Sequence, residues 1–186
     1  MIAGIVLAAG KGTRLGGSKA RLAVGGLPLA CLHVRTFRAI GAWPVLVVRP
    51  EDAERFEGEA TLVVSEEREQ AGSLALAVEA LPREMTATFV TPVDLLPTAR
   101  TTLEALCEAL DGSCDAVTPS YADRRGHPVL VRRDVLEAAP GQPLREVLRA
   151  LGPRRRVVEV DDPGVLGDLD LVADVLRATG APPRFV

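Results

Sequence analysis

Short runs of consecutive apolar residues alternate along the chain with longer segments in which apolar residues recur at helical spacing. The apolar runs occupy residues 2–9, 43–49, 60–65, 87–91, 115–119, 128–131 and 157–160. The helical patterns occupy residues 28–40, 50–56, 72–81, 98–110, 144–151 and 169–177. Because the apolar runs are continuous rather than alternating, they are typical of parallel strands covered on both faces. The pattern therefore predicts a three-layer α/β/α fold around a mostly parallel, Rossmann-like sheet.

Length and composition fit a single domain, residues 1–186, with a substantial core. Of the 186 residues, 47% are hydrophobic and 25% are charged, which is typical of a folded chain. The net charge of −3 argues against a surface for nucleic acid. The apolar runs fall well short of the roughly 20 residues that span a bilayer. The first run, residues 2–9, leads into a glycine-rich loop, so we interpret it as a strand and not a signal peptide.

The cysteines and histidines exclude some kinds of site. Cys31, Cys107 and Cys114 have no metal-type spacing and do not suggest a disulfide framework. We expect them to be small buried side chains in a protein of the reducing cytoplasm. The two histidines, His33 and His127, are too few for a histidine-rich zinc site.

The first apolar run ends in a loop that combines glycines with cations. The glycines are at positions 10, 12, 16 and 17, and the cations are Lys11, Arg14 and Lys19. Glycines let backbone N–H groups approach phosphate oxygens closely, and the cations neutralise the charge of those oxygens. The loop therefore predicts a nucleoside triphosphate site at an edge of the sheet. A plain turn between a strand and a helix is the alternative, but such a turn does not need four glycines and three cations.

Two better-known glycine loops do not fit. The dinucleotide pattern G-x-G-x-x-G would need glycine where Leu15 stands, and the P-loop would need Gly-Lys-Ser/Thr where the chain has Gly17-Ser18-Lys19.

Asp94 follows the fourth apolar run, in the segment Thr91-Pro-Val-Asp-Leu-Leu-Pro97. The carboxyl ends of parallel strands meet at one edge of a sheet, so Asp94 and the glycine loop are expected to face each other. A carboxylate beside a polyphosphate suits Mg²⁺, which takes oxygen ligands. The alternative is that Asp94 caps the following helix, but Pro97 or Thr98 can supply that start.

The loop closely resembles L-A-A-G-x-G-x-R-[LM]-G-x-x-K, the signature of sugar-nucleotide and molybdenum-cofactor nucleotidyltransferases. The resemblance continues at residues 70–73, 94, 126–129 and 168–174, so it covers nearly the whole chain. Taken together, the chain resembles the molybdenum cofactor cytidylyltransferases among the MobA-like NTP transferases. Their fold is the nucleotide-diphospho-sugar transferase type, and their reaction transfers a nucleoside monophosphate to a phosphate-bearing acceptor with release of pyrophosphate.

The resemblance assigns roles to individual residues. Arg14 and Lys19 are the expected catalytic cations, and Asp94 and Asp170 the expected ligands of Mg²⁺. The family's D-x-P is here Asp94-Leu-Leu-Pro97, and Leu171-Val172 stand for its Thr-Pro after the second acid. Asp168 is an alternative second ligand, and capping of the last helix is a further role for either acid. The expected nucleotide-binding residues are Leu7, Ala8, Ala9, Gly10, Gly12, Arg14, Lys19, Gln70, Gly72 and Ser73.

The C-terminal half is expected to bind the acceptor. Gly126 and His127 lie in Arg-Gly-His-Pro-Val, which resembles the G-H-P-V segment of the molybdenum-cofactor branch. For the run 154–156, three consecutive arginines, we favour a solvated charge run over a phosphate contact. Ordinary helix capping is an equal alternative for Ser73. The resemblance also implies partners among the proteins that mature molybdoenzymes.

Ala9 argues for CTP as the nucleotide. Guanylyl-transferring relatives usually have glycine at this place, and a methyl group there leaves less room for a purine. The alternatives are a guanylyltransferase acting on the molybdenum cofactor or phospholactate, another phospho-acceptor nucleotidyltransferase, or a nucleotide-binding regulatory module without catalysis. The altered segment around Asp170 keeps the last of these open.

Overall fold

The computed structural model describes residues 1–10, 12, 15–66 and 69–186. Lys11 and Arg14 lie outside the described residues, so the roles predicted for these two cations stay predictions. Within the described part, the strands are β1 (Ile2–Leu7), β2 (Ala23–Val24), β3 (Leu27–Pro28), β4 (Trp43–Val48), β5 (Thr61–Val64), β6 (Ala87–Pro92), β7 (Ala116–Tyr121), β8 (Arg124–Arg125), β9 (Val129–Arg132) and β10 (Arg155–Glu159).

The helices alternate with the strands, as the hydrophobic pattern predicts. They are α1 (Leu29–Ala39), α2 (Pro50–Ala53), α3 (Gln70–Glu79), α4 (Arg100–Ala109), α5 (Arg133–Glu137), α6 (Leu144–Ala150) and α7 (Val172–Thr179). Local chemistry explains several ends. Pro28 precedes the first turn of α1, and Gly41 (φ +74°) follows its last. A left-handed backbone is cheap for glycine and costly for other residues.

The main sheet has the strand order β10-β7-β9-β6-β1-β4-β5, and the short β8 pairs with β7. Strands β5, β4, β1 and β6 are mutually parallel, while β9 runs antiparallel to both β6 and β7. The predicted α/β/α fold with a mostly parallel sheet is confirmed. Because β9 is antiparallel, the residues that precede it, and not those that follow it, lie at the edge where β1 and β6 end.

Successive side chains of β1 enter two cores, one on each face of the sheet. Ile5 and Leu7 pack with α3 and α6, whereas Val6 packs with α1 and α4. Gly4 lies directly under α1, because a Cβ built there would be 2.4 Å from the ring of Phe37. The missing side chain lets α1 approach the sheet closely, which places the N-terminal part of this helix beside the ends of the strands.

Three short elements were not predicted, namely the β2–β3 hairpin, α5 and β8. The hairpin leads into α1, and residues 184–186 pair with residues 21–23, where the hairpin begins. The N–H of Ala23 donates to the carbonyl of Arg184 at 2.7 Å, and the N–H of Val186 donates to the carbonyl of Arg21 at 3.0 Å. The ring of Phe185 lies so close to Gly17 that a Cβ there would be 3.0 Å away.

Trp43 opens β4 at the edge of the sheet opposite to the strand ends, in register with Ala3 of β1. The residue is 45% exposed, and its Nε1–H donates to Oγ1 of Thr61 at 2.9 Å.

The cysteines are free thiols. Cys31 and Cys114 are buried as predicted, but Cys107 is only half-buried, on α4. Among the residues that the structure describes, the helices are too short or too polar to cross a membrane.

Candidate active site

The glycine loop folds back on itself after β1. Gly12 has φ +59°, and a Cβ on it would lie 1.9 Å from the carbonyl oxygen of Gly17. Only glycine fits this close approach. The loop is then fastened by Ser18, whose Oγ donates to Oδ2 of the buried Asp52 at 2.6 Å. Both contacts hold the following residue, Lys19, in a defined place.

Lys19 reaches back over the strand ends and binds two carboxylates. Its Nζ lies 3.1 Å from Oδ2 of Asp94 and also donates to Oδ1 of Asp170. Burial opposes the positive charge, but hydrogen bonds and charge attraction from Asp170 and Asp94 outweigh it and raise the pKa of Lys19. The ammonium group therefore stays charged at neutral pH.

The two carboxylates are brought together by backbone pairing between distant loops. The N–H of Leu169 donates to the carbonyl of Asp94 at 2.7 Å, and the N–H of Leu96 donates to the carbonyl of Gly167 at 3.2 Å. Leu95 and Asp168 form an antiparallel bridge between these bonds. These contacts join the loop after β6 and the segment before α7 in a short antiparallel ladder.

Asp168 adds a third carboxylate to this cluster. Burial raises its pKa, and the negative charges of Asp94 and Asp170 raise it further. Oxygens of Asp94 and Asp170 thus converge on Lys19 Nζ, with the charge of Asp168 nearby. Hard carboxylate oxygens arranged in this way suit a divalent cation such as Mg²⁺, with phosphate oxygens completing the ligands. In the ranges described, the structure has no group of three or more His, Cys, Asp or Glu residues placed to hold a metal by themselves.

Other acids cap the helices for which Asp94 and Asp170 were alternative caps. The carboxylate of Asp162 accepts from the N–H of Ala99 at 2.8 Å and from Oγ1 of Thr102 at 3.0 Å, so it caps α4. Helix α4 begins at Arg100, so the prediction that Pro97 or Thr98 starts it is wrong. At α7, Asp174 accepts from the N–H of Leu171 at 2.9 Å. Asp162 and Asp174 thus cap α4 and α7.

The buried His33 supports the loop that carries Asp94, a role that the sequence did not indicate. It is buried on α1, and its Nε2–H donates to the carbonyl of Leu95 at 2.9 Å. Burial lowers its pKa to about 4, although the carbonyls of Leu95 and Val93 and the charge of Asp94 act in the opposite direction. A histidine on an amphipathic helix gives no local sign of such a contact.

We expect acid to destabilise the fold through His33. The folded protein holds this imidazole neutral, whereas the unfolded chain protonates it near pH 6.5. The unfolded state therefore binds more protons below pH 6.5, and the free energy of unfolding falls as pH falls from 6.5 towards 4, by up to about 3 kcal/mol. Urea unfolding of the parent and of His33→Gln at pH 7.5, 6.0 and 5.0 measures this. The variant, which keeps a donor for Leu95, is expected to lose less stability, and equal losses would contradict the assignment.

A pocket of about 170 Å³ lies beside Lys19. Its lining contains many of the predicted nucleotide-binding residues together with one predicted metal ligand: Leu7, Ala9, Gly10, Gly12, Lys19, Gln70, Ser73 and Asp94. Ala8, which was also predicted to bind the nucleotide, is buried in the core, and its N–H donates to the carbonyl of Val47. The Oγ of Ser73 is buried and hydrogen-bonded to Oγ of Ser65 at 2.9 Å, so this hydroxyl helps to hold the start of α3 beside the strand ends.

A larger cavity of about 870 Å³ adjoins the small pocket and shares Leu7, Glu69, Gln70 and Pro92 with it. The predicted acceptor residues Gly126 and His127 line this cavity. A Cβ on Gly126 would lie 2.2 Å from the carbonyl oxygen of Val165, so the backbone requires glycine here. Burial lowers the pKa of His127, whose Nδ1 lies 3.4 Å from the carbonyl of Val90. Both residues reach this edge because β9 runs antiparallel and they precede it.

Residues 4–160 match the model of the MobA-like NTP transferase domain. Among curated proteins, the bifunctional protein GlmU of Anaeromyxobacter sp. (strain Fw109-5) is 36% identical over 144 residues, 70% of this chain and 30% of that protein. A probable molybdenum cofactor guanylyltransferase of Opitutus terrae is 43% identical over 74 residues, 40% of this chain and 36% of that protein. The chain thus spans about a third of the length of the curated relatives that it matches.

Solved structures share the fold along almost the whole chain. Rv0371c from Mycobacterium tuberculosis H37Rv superimposes with a TM-score of 0.85 at 23% identity, over 97% of this chain and 99% of that one. The structure of its complex with manganese superimposes with a TM-score of 0.80 at 22% identity, over 97% of this chain and 98% of that one. The 2-C-methyl-D-erythritol 4-phosphate cytidylyltransferase of Thermus thermophilus superimposes with a TM-score of 0.77 at 20% identity, over 97% of this chain and 98% of that one.

Proposed function

Because the chain belongs to the MobA-like NTP transferase domain family, we propose that it is a nucleotidyltransferase. In this proposal it transfers a nucleoside monophosphate from an NTP, with CTP favoured, to a phosphate-bearing acceptor and releases pyrophosphate. The molybdenum cofactor is the acceptor that we favour, in line with the name of the Opitutus relative.

One observation carries the proposal, namely the position of Lys19 between two carboxylates in a pocket lined by the glycine loop. A cation and a pair of acids at the ends of parallel strands can neutralise a triphosphate and hold its metal. Manganese in a structurally similar protein supports a divalent cation here. Asp94 and Asp170 would hold Mg²⁺, which would neutralise charge on the phosphate oxygens.

In the proposed reaction, an oxygen of the acceptor phosphate attacks the α-phosphorus, and the bond from this phosphorus to the pyrophosphate oxygen breaks. The protein mainly positions the two reactants and stabilises the negative charge that develops. Lys19 donates hydrogen bonds to phosphate oxygens once they replace its carboxylate partners. The cavity beyond Gln70 and Pro92 holds the acceptor, because it opens directly onto the small pocket.

Ala9 lines the small pocket, and in this proposal its methyl group leaves less room for a purine than for a pyrimidine, which favours CTP. The cytidylyltransferase of Thermus thermophilus is consistent with this choice. GTP is the second candidate, since the Opitutus relative is named a guanylyltransferase.

The variant Ala9→Gly is expected to relax the preference for CTP over GTP by roughly tenfold, because one methyl group is worth about 1 kcal/mol or slightly more. The measurement is the ratio of kcat/KM for the two nucleotides in parent and variant. If the parent protein already prefers GTP, then GTP takes the place of CTP in the proposal.

The proposal as a whole is tested by pyrophosphate release from CTP, GTP, UTP and dTTP with Mg²⁺ and molybdenum cofactor. We expect release that depends on both the cofactor and the metal. Tight nucleotide binding without turnover of any of the four would instead support a regulatory module.

A further inference from the structure

Four arginines line the large cavity: Arg125, Arg145, Arg149 and Arg155. Arg145 and Arg149 lie one turn apart on α6, whereas Arg125 belongs to β8 and Arg155 begins β10. The cationic side chains therefore come from three separate elements and meet around one space. In the part of the chain that the structure describes, none of the four lines the small pocket that holds Lys19.

These guanidinium groups lack carboxylate partners within the described residues. The ion pairs found there involve other arginines, although Glu69 also lines the cavity. Arg155 is half-buried, and its Nε–H donates to the neutral hydroxyl of Thr118 at 3.0 Å. Burial lowers the pKa of Arg155, and the charge of Arg125 lowers it further. The positive charges of Arg125 and Arg155 thus repel each other beside this cavity, and an anionic ligand would relieve that repulsion.

The three arginines at positions 154–156 have two different roles. Arg154 pairs with Asp115, and Arg156 pairs with Asp111 at 3.0 Å and donates to the carbonyl of Ala109 at 2.7 Å. These two residues are therefore held by acids outside the cavity. Arg155, between them, is the member that faces the cavity. The expectation of a solvated charge run fits the outer two residues but not the middle one.

The rest of the cavity wall is largely apolar. Its aliphatic members come from the strands and from the two helices that cover them: Leu7, Leu74, Val90, Val129, Leu144 and Leu148. A ligand with an apolar body and an anionic group would meet both kinds of surface. Guanidinium groups bind phosphate and carboxylate through two parallel hydrogen bonds, which favours such a group over a neutral one.

We propose that the arginines of the large cavity bind a second anionic group of the acceptor, separated by an apolar body from the phosphate that reacts beside Lys19. This inference rests on the proposed function, because it names the class of acceptor for the same site. It assigns Arg125, Arg145, Arg149 and Arg155 to recognition of the acceptor and not of the nucleotide.

Calorimetric titration with 1-naphthyl phosphate, which combines an apolar body with an anion, tests the cavity without nucleotide or turnover. Inorganic phosphate lacks the body, and 1-naphthol lacks the anion. We expect the naphthyl phosphate to bind at least ten times more tightly than either, and binding to weaken as salt rises. The double variant Arg145→Gln/Arg149→Gln is expected to weaken this binding at least tenfold.

Two further variants make the result specific. Arg154→Gln/Arg177→Gln removes the same charge from exposed residues outside the cavity and is expected to leave binding unchanged. Lys19→Met alters the small pocket and is expected to retain binding. The inference is overturned if the parent does not bind 1-naphthyl phosphate, if both double variants weaken it equally, or if Lys19→Met abolishes it. Nucleotide-dependent pyrophosphate release is measured separately, so a failure there with intact cavity binding would count against the proposed function alone.

Discussion

Replacement of Lys19 by methionine is expected to lower kcat about 100- to 1,000-fold, which corresponds to about 3–4 kcal/mol of lost charge stabilisation in the transition state. The methionine keeps much of the length of the side chain but cannot donate to Asp94, Asp170 or a phosphate oxygen. The variant also removes the cation that contacts Asp94 and Asp170. We therefore expect a lower Tm than the parent without metal, and a larger rise of Tm on addition of Mg²⁺.

Arg21→Met is the matched control, because Arg21 lies in the same short turn but donates to the carbonyl of Val186 and not to the acids. It is expected to retain turnover. Near-parental kcat in Lys19→Met would remove this lysine from the catalytic machinery. An unchanged response of Tm to Mg²⁺ would separate Lys19 from the metal site.

Replacement of Asp94 by asparagine is expected to reduce Mg²⁺-dependent turnover by at least 1,000-fold, because the amide keeps the shape of the side chain but loses the charge that binds a hard cation. Nucleotide binding without metal is expected to change little. The measurement is pyrophosphate release over a range of Mg²⁺ concentrations, with nucleotide affinity determined by calorimetry.

Asp170→Asn and Asp168→Asn decide which acid accompanies Asp94. Because Lys19 donates to both Asp94 and Asp170, we expect Asp170→Asn to resemble Asp94→Asn. Asp168, whose influence is exerted through its charge, is expected to give a milder loss. A parental dependence on Mg²⁺ in Asp94→Asn would exclude this carboxylate as a ligand.

Local sequence patterns predicted the layers of the fold well, because continuous apolar strands and amphipathic helices are encoded within a few neighbouring residues. Asp94 and the glycine loop were expected at the same edge for a similarly simple reason, since both follow parallel strands. The approach of Asp170 was inferred from a family resemblance alone. The backbone ladder that positions this acid joins residues more than 70 positions apart, and no local pattern reports such pairing.

The direction of β9 could not be predicted, because an apolar run of four residues has the same appearance in either orientation. This direction nevertheless brings Gly126 and His127 to the candidate site. The support from His33 and the cap from Asp162 also depend on contacts between distant segments. The same holds for the arginine run 154–156, where only packing decides which guanidinium faces the cavity and which ones pair with acids.

Trp43, the only tryptophan of the chain, stands at the edge of the sheet away from both pockets. Its indole is partly in water and is hydrogen-bonded across to the edge strand β5. Its fluorescence will therefore report on the integrity of the β4–β5 edge during denaturation and will respond little to nucleotide or acceptor. An emission change on adding a ligand would be a sign of a rearrangement that travels through the sheet, and the absence of such a change would carry no information about occupancy.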